Sequence, residues 1–117
     1  MSSIFRIVTQ RELIEAKESG QVPRNVADET SGYVHLSPKS EVLTTAQRYY
    51  SNHQELSVLE VNSIDLGAAL RWERVESRNN VSFPHLYAPN IPWTAVKEIH
   101  TLTQKTDGCF EWQLLDG

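Results

Sequence analysis

The sequence predicts an α+β domain in which a strongly bent or split antiparallel sheet packs against two helices. Three observations carry the prediction. Strand patterns recur from Ile4 to Leu115 along a chain of 117 residues, and two stretches of helical spacing fall in its first half. Strands are joined by turn chemistry, Asn79-Asn80 and Asp107-Gly108, as hairpins are. The helices fall early and antiparallel strands run throughout, which does not look doubly wound, and no glycine-rich phosphate loop of the dinucleotide-binding or nucleotide-triphosphatase type occurs. With 39% hydrophobic and 22% charged residues, the chain suits one domain spanning residues 1–117 that buries roughly two thirds of its unfolded surface.

Ile4 to Val8 is a β-branched strand with Phe5 and Ile7 on one face and Arg6 on the other. Thr9 and Glu12 form a capping box for a helix over Gln10 to Ser19, with Leu13, Ile14 and Ala16 inward and Gly20 stopping it. Gln21 to Ser31, with Pro23, Asn25 and alternating charges, is a loop that either lies over a cleft or simply connects. Tyr33 to Leu36 is a strand. Ser37-Pro38 supplies a cap and a first-turn proline for a helix in which Val42, Leu43, Ala46, Tyr49 and Tyr50 repeat at helical spacing. Leu56 to Val61 is a further strand, and Leu66-Gly67 a bend. Leu70 to Val75 alternates, sending Trp72 to the core and Glu73 to solvent or a cleft. The Asn79-Asn80 turn leads to Phe83 to Tyr87, where Pro84 points to an edge or bulge. Val96 to Thr103 and Cys109 to Leu115 flank the Asp107-Gly108 turn and make a closing hairpin over about 96–115, with Phe110, Trp112 and Leu114 on its core face.

A net charge of −4 argues against extended nucleic-acid binding, although a basic pocket around Arg6, Arg71 or Arg74 could hold one anionic ligand. Cys109 is the only cysteine, so no intrachain disulfide forms; it reads as a small buried group without a role. Met1-Ser2-Ser3-Ile4-Phe5-Arg6 has no basic leader, and no apolar run approaches the roughly 20 residues of a membrane helix. A soluble cytoplasmic protein is expected. No Gly-x-Ser-x-Gly elbow accompanies a serine, and no short-spaced histidine pair suggests a metal, so none is predicted. His53 and His100 read as structural or solvent-facing.

The chemistry concentrates in Gly32-Tyr33-Val34-His35-Leu36-Ser37 and Phe83-Pro84-His85-Leu86-Tyr87. As strands, the first aligns Tyr33, His35 and Ser37 on one face, the second Phe83, His85 and Tyr87. If they share a cleft, two imidazoles stand among aromatic walls, as acid–base catalysis or recognition of a planar ligand requires. Two readings of each residue stand. Ser37 caps the following helix or helps its amides receive an anion; His35 meets that anion or bonds the backbone. His85 is shifted down by burial or up by a carboxylate such as Glu73, itself either that partner or a surface group.

With Phe5-Arg6-Ile7 and Leu70-Arg71-Trp72-Glu73, these segments resemble the bacterial family called domain of unknown function 952, over Ile4 to about Leu102. Arg6 stands where the family has histidine or lysine, and Ala88 where it usually has glycine; the tail from Thr103 to Gly117 lies beyond the family core. The family is similar in fold to the ADP-ribosyltransferase superfamily, whose relatives include RNA 2′-phosphotransferases. The resemblance implies an NAD-type cleft: Arg6 matches the basic residue of the first motif, His35 the second, His85 the third. No glutamate of the protein-modifying members accompanies the third motif. On this reading Arg6 holds a phosphate, His35 contacts ribose or pyrophosphate, Tyr33, Phe83 or Tyr87 stacks on a ring, and Ser37 counts among the ligand-binding residues. His85, with Glu73, orients the ligand or exchanges a proton. NAD, ADP-ribose or a phosphorylated nucleotide is the implied ligand, and transfer of ADP-ribose or phosphate the implied reaction. The alternative is a nonenzymatic small-ligand or partner-binding module on the same fold.

Overall fold

Local signals set most element boundaries. The computed structural model describes residues 3–113. Strand β1 (Ser3–Val8) runs into Thr9, whose side chain accepts the Glu12 amide while Glu12 reaches back to the Thr9 amide. This expected box starts α1 (Gln10–Ser19), which Gly20 ends in the left-handed region with φ 81°. The segment expected as a loop is mostly ordered instead. After β2 (Gln21–Val22), Asn25 and Asp28 make a second capping box for α2 (Val26–Ser31), which Gly32 ends with φ 85°. Then come β3 (Val34–His35), a 3-10 turn at Lys39–Glu41 and α3 (Val42–Tyr49). The second half is β4 (Glu55–Asn62), β5 (Leu70–Val75), β6 (Val81–Leu86), β7 (Ile91–Pro92), β8 (Val96–Gln104) and β9 (Phe110–Trp112). Asn79 and Asn80, both with φ near 60°, turn β5 into β6 as their residue types imply.

The strands form antiparallel sheets in the orders β1-β4-β8-β9 and β3-β6-β5, with β2 and β7 as a small pair. The two larger sheets are joined where Phe5 and Ser37 exchange both backbone hydrogen bonds, at 2.9 and 2.8 Å. The result is the expected α+β fold with a curled antiparallel sheet, holding three α-helices rather than two among the described residues. One core joins Ile4, Val8, Leu59, Val61, Val34 and Leu86 to Ala16 of α1; the other joins Phe5, Ile7, Leu56, Val58 and Leu102 to Val42 and Ala46 of α3. β1 therefore sits between two apolar layers, with Arg6 as the charged interruption of its run.

Several expectations need correction. Ser37 is not a helix cap: its backbone pairs with β1, Pro38 precedes the 3-10 turn, and α3 begins only at Val42. The anion reading at that helix start falls with it. Ile14 is 58% exposed and Trp72 49% exposed; α1 meets the core through Ala16 and Leu13, and Trp72 stands on β5, an edge strand. Cys109 is exposed in the β8–β9 turn. Pro84 lies on the central strand of its sheet, not an edge. Its carbonyl accepts the Leu36 amide at 3.2 Å, so its donorless nitrogen faces β3 just beyond the end of that strand. Leu114 and Leu115 of the expected hairpin lie outside the described residues, as do Met1 and Ser2.

Candidate functional site

The strand alternation read from the two histidine segments holds, and the register makes His35 and His85 direct cross-strand partners. Their ring centroids are 5.9 Å apart. Tyr33 covers them: its ring stacks on His85 at 4.0 Å and lies 4.7 Å from His35 and 5.4 Å from Tyr87. On the other side of His85, β5 places Arg71 and Glu73 on the same face.

Each imidazole has its own carboxylate. His85 Nδ1 is 2.7 Å from Glu73 Oε1, and the Tyr87 hydroxyl donates to that same oxygen at 2.7 Å. These two hydrogen bonds hold the Glu73 carboxyl below its usual range, and the bond to Glu73 raises the Tyr87 hydroxyl. Glu73 is thus the partner of His85, as one sequence reading had it. Burial lowers the His85 imidazole and outweighs the pull of Glu73, so His85 is neutral at pH 7. An ionised carboxylate only accepts, so Nδ1 carries the proton and Nε2 keeps a free lone pair.

The partner of His35 is Asp28, which the sequence reading missed. It is fully buried and accepts from the His35 amide (3.0 Å), the Asn25 amide (3.0 Å), Arg6 Nη1 (3.1 Å) and Arg6 Nη2 (2.7 Å), with His35 Nδ1 at 2.8 Å. Burial opposes its ionisation, but the His35 and Arg6 hydrogen bonds, the Arg6 charge and the Asn25 amide together hold the carboxyl well below the usual range. Nδ1 of His35 is again the donor. The signal for Asp28 was present in Asn25-x-x-Asp28, a capping-box spacing closed by Gly32. Arg6, proposed as a phosphate holder, has both terminal nitrogens on Asp28, and Nη1 also donates to the His35 carbonyl at 2.9 Å. Its Nε is buried without a partner among the described residues.

Arg6, Tyr33, His35, Ser37, Phe83 and His85 line one cleft of about 620 Å³. The structure thus brings together six of the eight residues singled out from the sequence, while Glu73 and Tyr87 pair beside His85 outside the cleft lining. The Ser37 hydroxyl lies 3.5 Å from that of Thr45, on the same wall. Arg71 lies over the Tyr87 ring at 5.0 Å and not in the cleft. Arg78 and Tyr50, which no sequence motif marked, are in it. Outside the cleft lining, Glu60, Glu98 and His100 bring their ligand atoms within 4.8 Å of one another. Glu60 there already accepts from Ser3 at 2.6 Å, with His100 at 2.8 Å and Lys97 at 3.7 Å.

A family described as protein of unknown function (DUF952) matches residues 7–99. Among solved structures, a crystal structure of protein CC0527 from Caulobacter crescentus is similar, with 28% identity, a TM-score of 0.85 and 94% of each chain covered. A double methionine variant of that protein gives 27% identity and a TM-score of 0.85. Its solution NMR structure gives 29% and 0.78, covering 93% of this chain and 91% of that one. No curated protein matches. None of these similar proteins is described with an activity, a ligand or an ADP-ribosyltransferase fold.

Proposed function

This chain belongs to the DUF952 family of proteins of unknown function, and from the geometry of its cleft we propose that it binds a nucleotide-like small molecule and exchanges protons with it through His35 and His85. One observation carries the reading: two imidazoles, each tied through Nδ1 to a carboxylate, face each other at 5.9 Å in a cleft walled by Tyr33. Neutral His85 offers Nε2 as a base, and His35, oriented by Asp28, presents its own Nε2 as a second proton-handling atom. Tyr33 supplies a flat wall for a ring. The fold likeness to ADP-ribosyltransferases that we expect of this family makes NAD and ADP-ribose the first ligands to try. In a transfer from NAD, the bond from ribose to nicotinamide breaks and neutral nicotinamide leaves with the electron pair. An acceptor hydroxyl forms the new bond and gives its proton to His85 Nε2.

A second reading, binding without turnover, has its own observation. The Arg6 guanidinium is matched by Asp28, so the charge expected to hold a phosphate is already compensated. Titration with NAD, ADP-ribose and unrelated nucleotides, followed through the His35 and His85 imidazole resonances and a nicotinamide assay, decides between them. Binding with nicotinamide release supports transfer, with turnover falling about 10²- to 10⁴-fold in His85→Gln. Binding without release supports the module. No movement of either imidazole with any nucleotide defeats both.

A further inference from the structure

The cleft has a second basic residue whose charge is less completely matched than that of Arg6. Arg78 stands on the 3-10 turn Glu76–Arg78, just before the positive-φ pair that turns the chain into β6. Its side chain folds inward: the residue is 7% exposed, its guanidinium carbon lies 4.6 Å from the centroid of the Phe83 ring, and it lines the same cleft as His35 and His85. Nη2 donates to Glu41 Oε1 at 3.0 Å, its sole hydrogen bond among the described residues. Arg6, by contrast, binds Asp28 through both terminal nitrogens and adds two backbone carbonyls, those of His35 and Pro23. Among the described residues the buried side-chain nitrogens that lack a partner are the Nε atoms of Arg6 and Arg24, not those of Arg78, so the unfilled donors of Arg78 are not sealed off. A second cation stands close by, since Arg48 Nη1 donates to the carbonyl of Ser77, another cleft residue, at 3.4 Å.

We propose that Arg78 is the anion subsite of this cleft and takes a phosphate of the ligand whose ring lies against Tyr33. The inference deepens the binding reading above and rests on it for the ring. A guanidinium held by one carboxylate keeps a planar set of donors matched to phosphate oxygens, and partial burial strengthens their attraction. The spacing also fits. Arg78 is held over Phe83 and Tyr33 over His85, and those two positions are two residues apart on β6, about 7 Å. That is the scale of one sugar between a base and its 5′-phosphate.

The test titrates AMP, adenosine and inorganic pyrophosphate separately into the wild type and the Arg78→Gln, Arg78→Lys and Glu41→Gln variants, with amide spectra checking the fold. AMP and pyrophosphate should bind at least tenfold more weakly to Arg78→Gln and to an intermediate degree to Arg78→Lys. They should bind several-fold more tightly to Glu41→Gln, which releases the fork from its competing carboxylate. Adenosine should not distinguish the variants. Equal binding of pyrophosphate to wild type and Arg78→Gln, no binding of it to the wild type, or a loss of affinity in Glu41→Gln overturns the subsite. Where Arg78→Gln does not fold, the sign of the Glu41→Gln effect decides. Adenosine that leaves Tyr33 and His85 unmoved strikes the ring reading alone, because the pyrophosphate result stands apart from it.

Discussion

Asp28 governs the chemistry of its surroundings because one buried carboxylate serves Arg6, the His35 ring and two backbone amides. Replacing it leaves the Arg6 guanidinium buried and uncompensated. We expect Asp28→Asn to lose about 3 to 5 kcal/mol in urea unfolding at neutral pH. The pH dependence has a definite sign. The folded carboxyl is held below the ordinary 3.8, so its stabilisation is complete above that value and drains as the pH falls toward the lower, folded value. Stability of the wild type should therefore fall more steeply between about pH 4 and 2 than that of the variant; parallel curves would refute the assignment. His85 acts in the same direction, because burial lowers its imidazole below 6.5 and its contribution is lost as the pH drops beneath that value. At this scale the sequence disclosed the two histidines and Glu73, but neither Asp28 nor Arg78. Carboxylates and arginines are common on surfaces; the Asn25-x-x-Asp28 spacing marks Asp28 as a capping residue, but burial alone shows that it and Arg78 turn inward.

Among the elements, α2 determines whether the site exists, since it carries Asp28 to Arg6 and His35. It is six residues long and mostly polar, too short to show an apolar period, which is why the segment read as a loop. Its caps were the better signal. Asn25→Ala removes the side-chain acceptor of the Asp28 amide, and we expect a loss of about 1 kcal/mol in thermal or urea unfolding. The same change should shift the His35 imidazole resonance; an unmoved resonance would show that Asp28 is positioned without the cap. The strands were more legible. β5 matches its sequence boundaries, and Phe5 and Ile7 face away from Arg6 as alternation requires. The misplaced Trp72 shows the limit: alternation says which residues share a face, not whether anything covers that face.

For the whole molecule, the Phe5–Ser37 link brings the curled sheet together, because β3 leaves β6 after His35 and pairs with β1 two residues later. It fixes the placement of Arg6 relative to His35, and so the floor of the cleft. If the two sheets open only with global unfolding, the Ser37 and Phe5 amides should exchange with solvent at the rate of the most protected β4 amides. Faster exchange at Ser37, measured by native-state hydrogen exchange, would show that the sheets part separately.

The sequence by itself determined the strand faces, the Thr9 cap, the hairpin turns and the alignment of His35 and His85 with aromatic residues. All of these follow from backbone periods and side-chain chemistry acting over a few residues. Only the tertiary structure decided that Arg6 is matched by Asp28, that Ser37 joins two sheets instead of starting a helix, and that Arg78 turns into the cleft. These outcomes depend on which distant groups are desolvated together, and an ion pair joining positions 22 residues apart leaves no periodic trace in the chain.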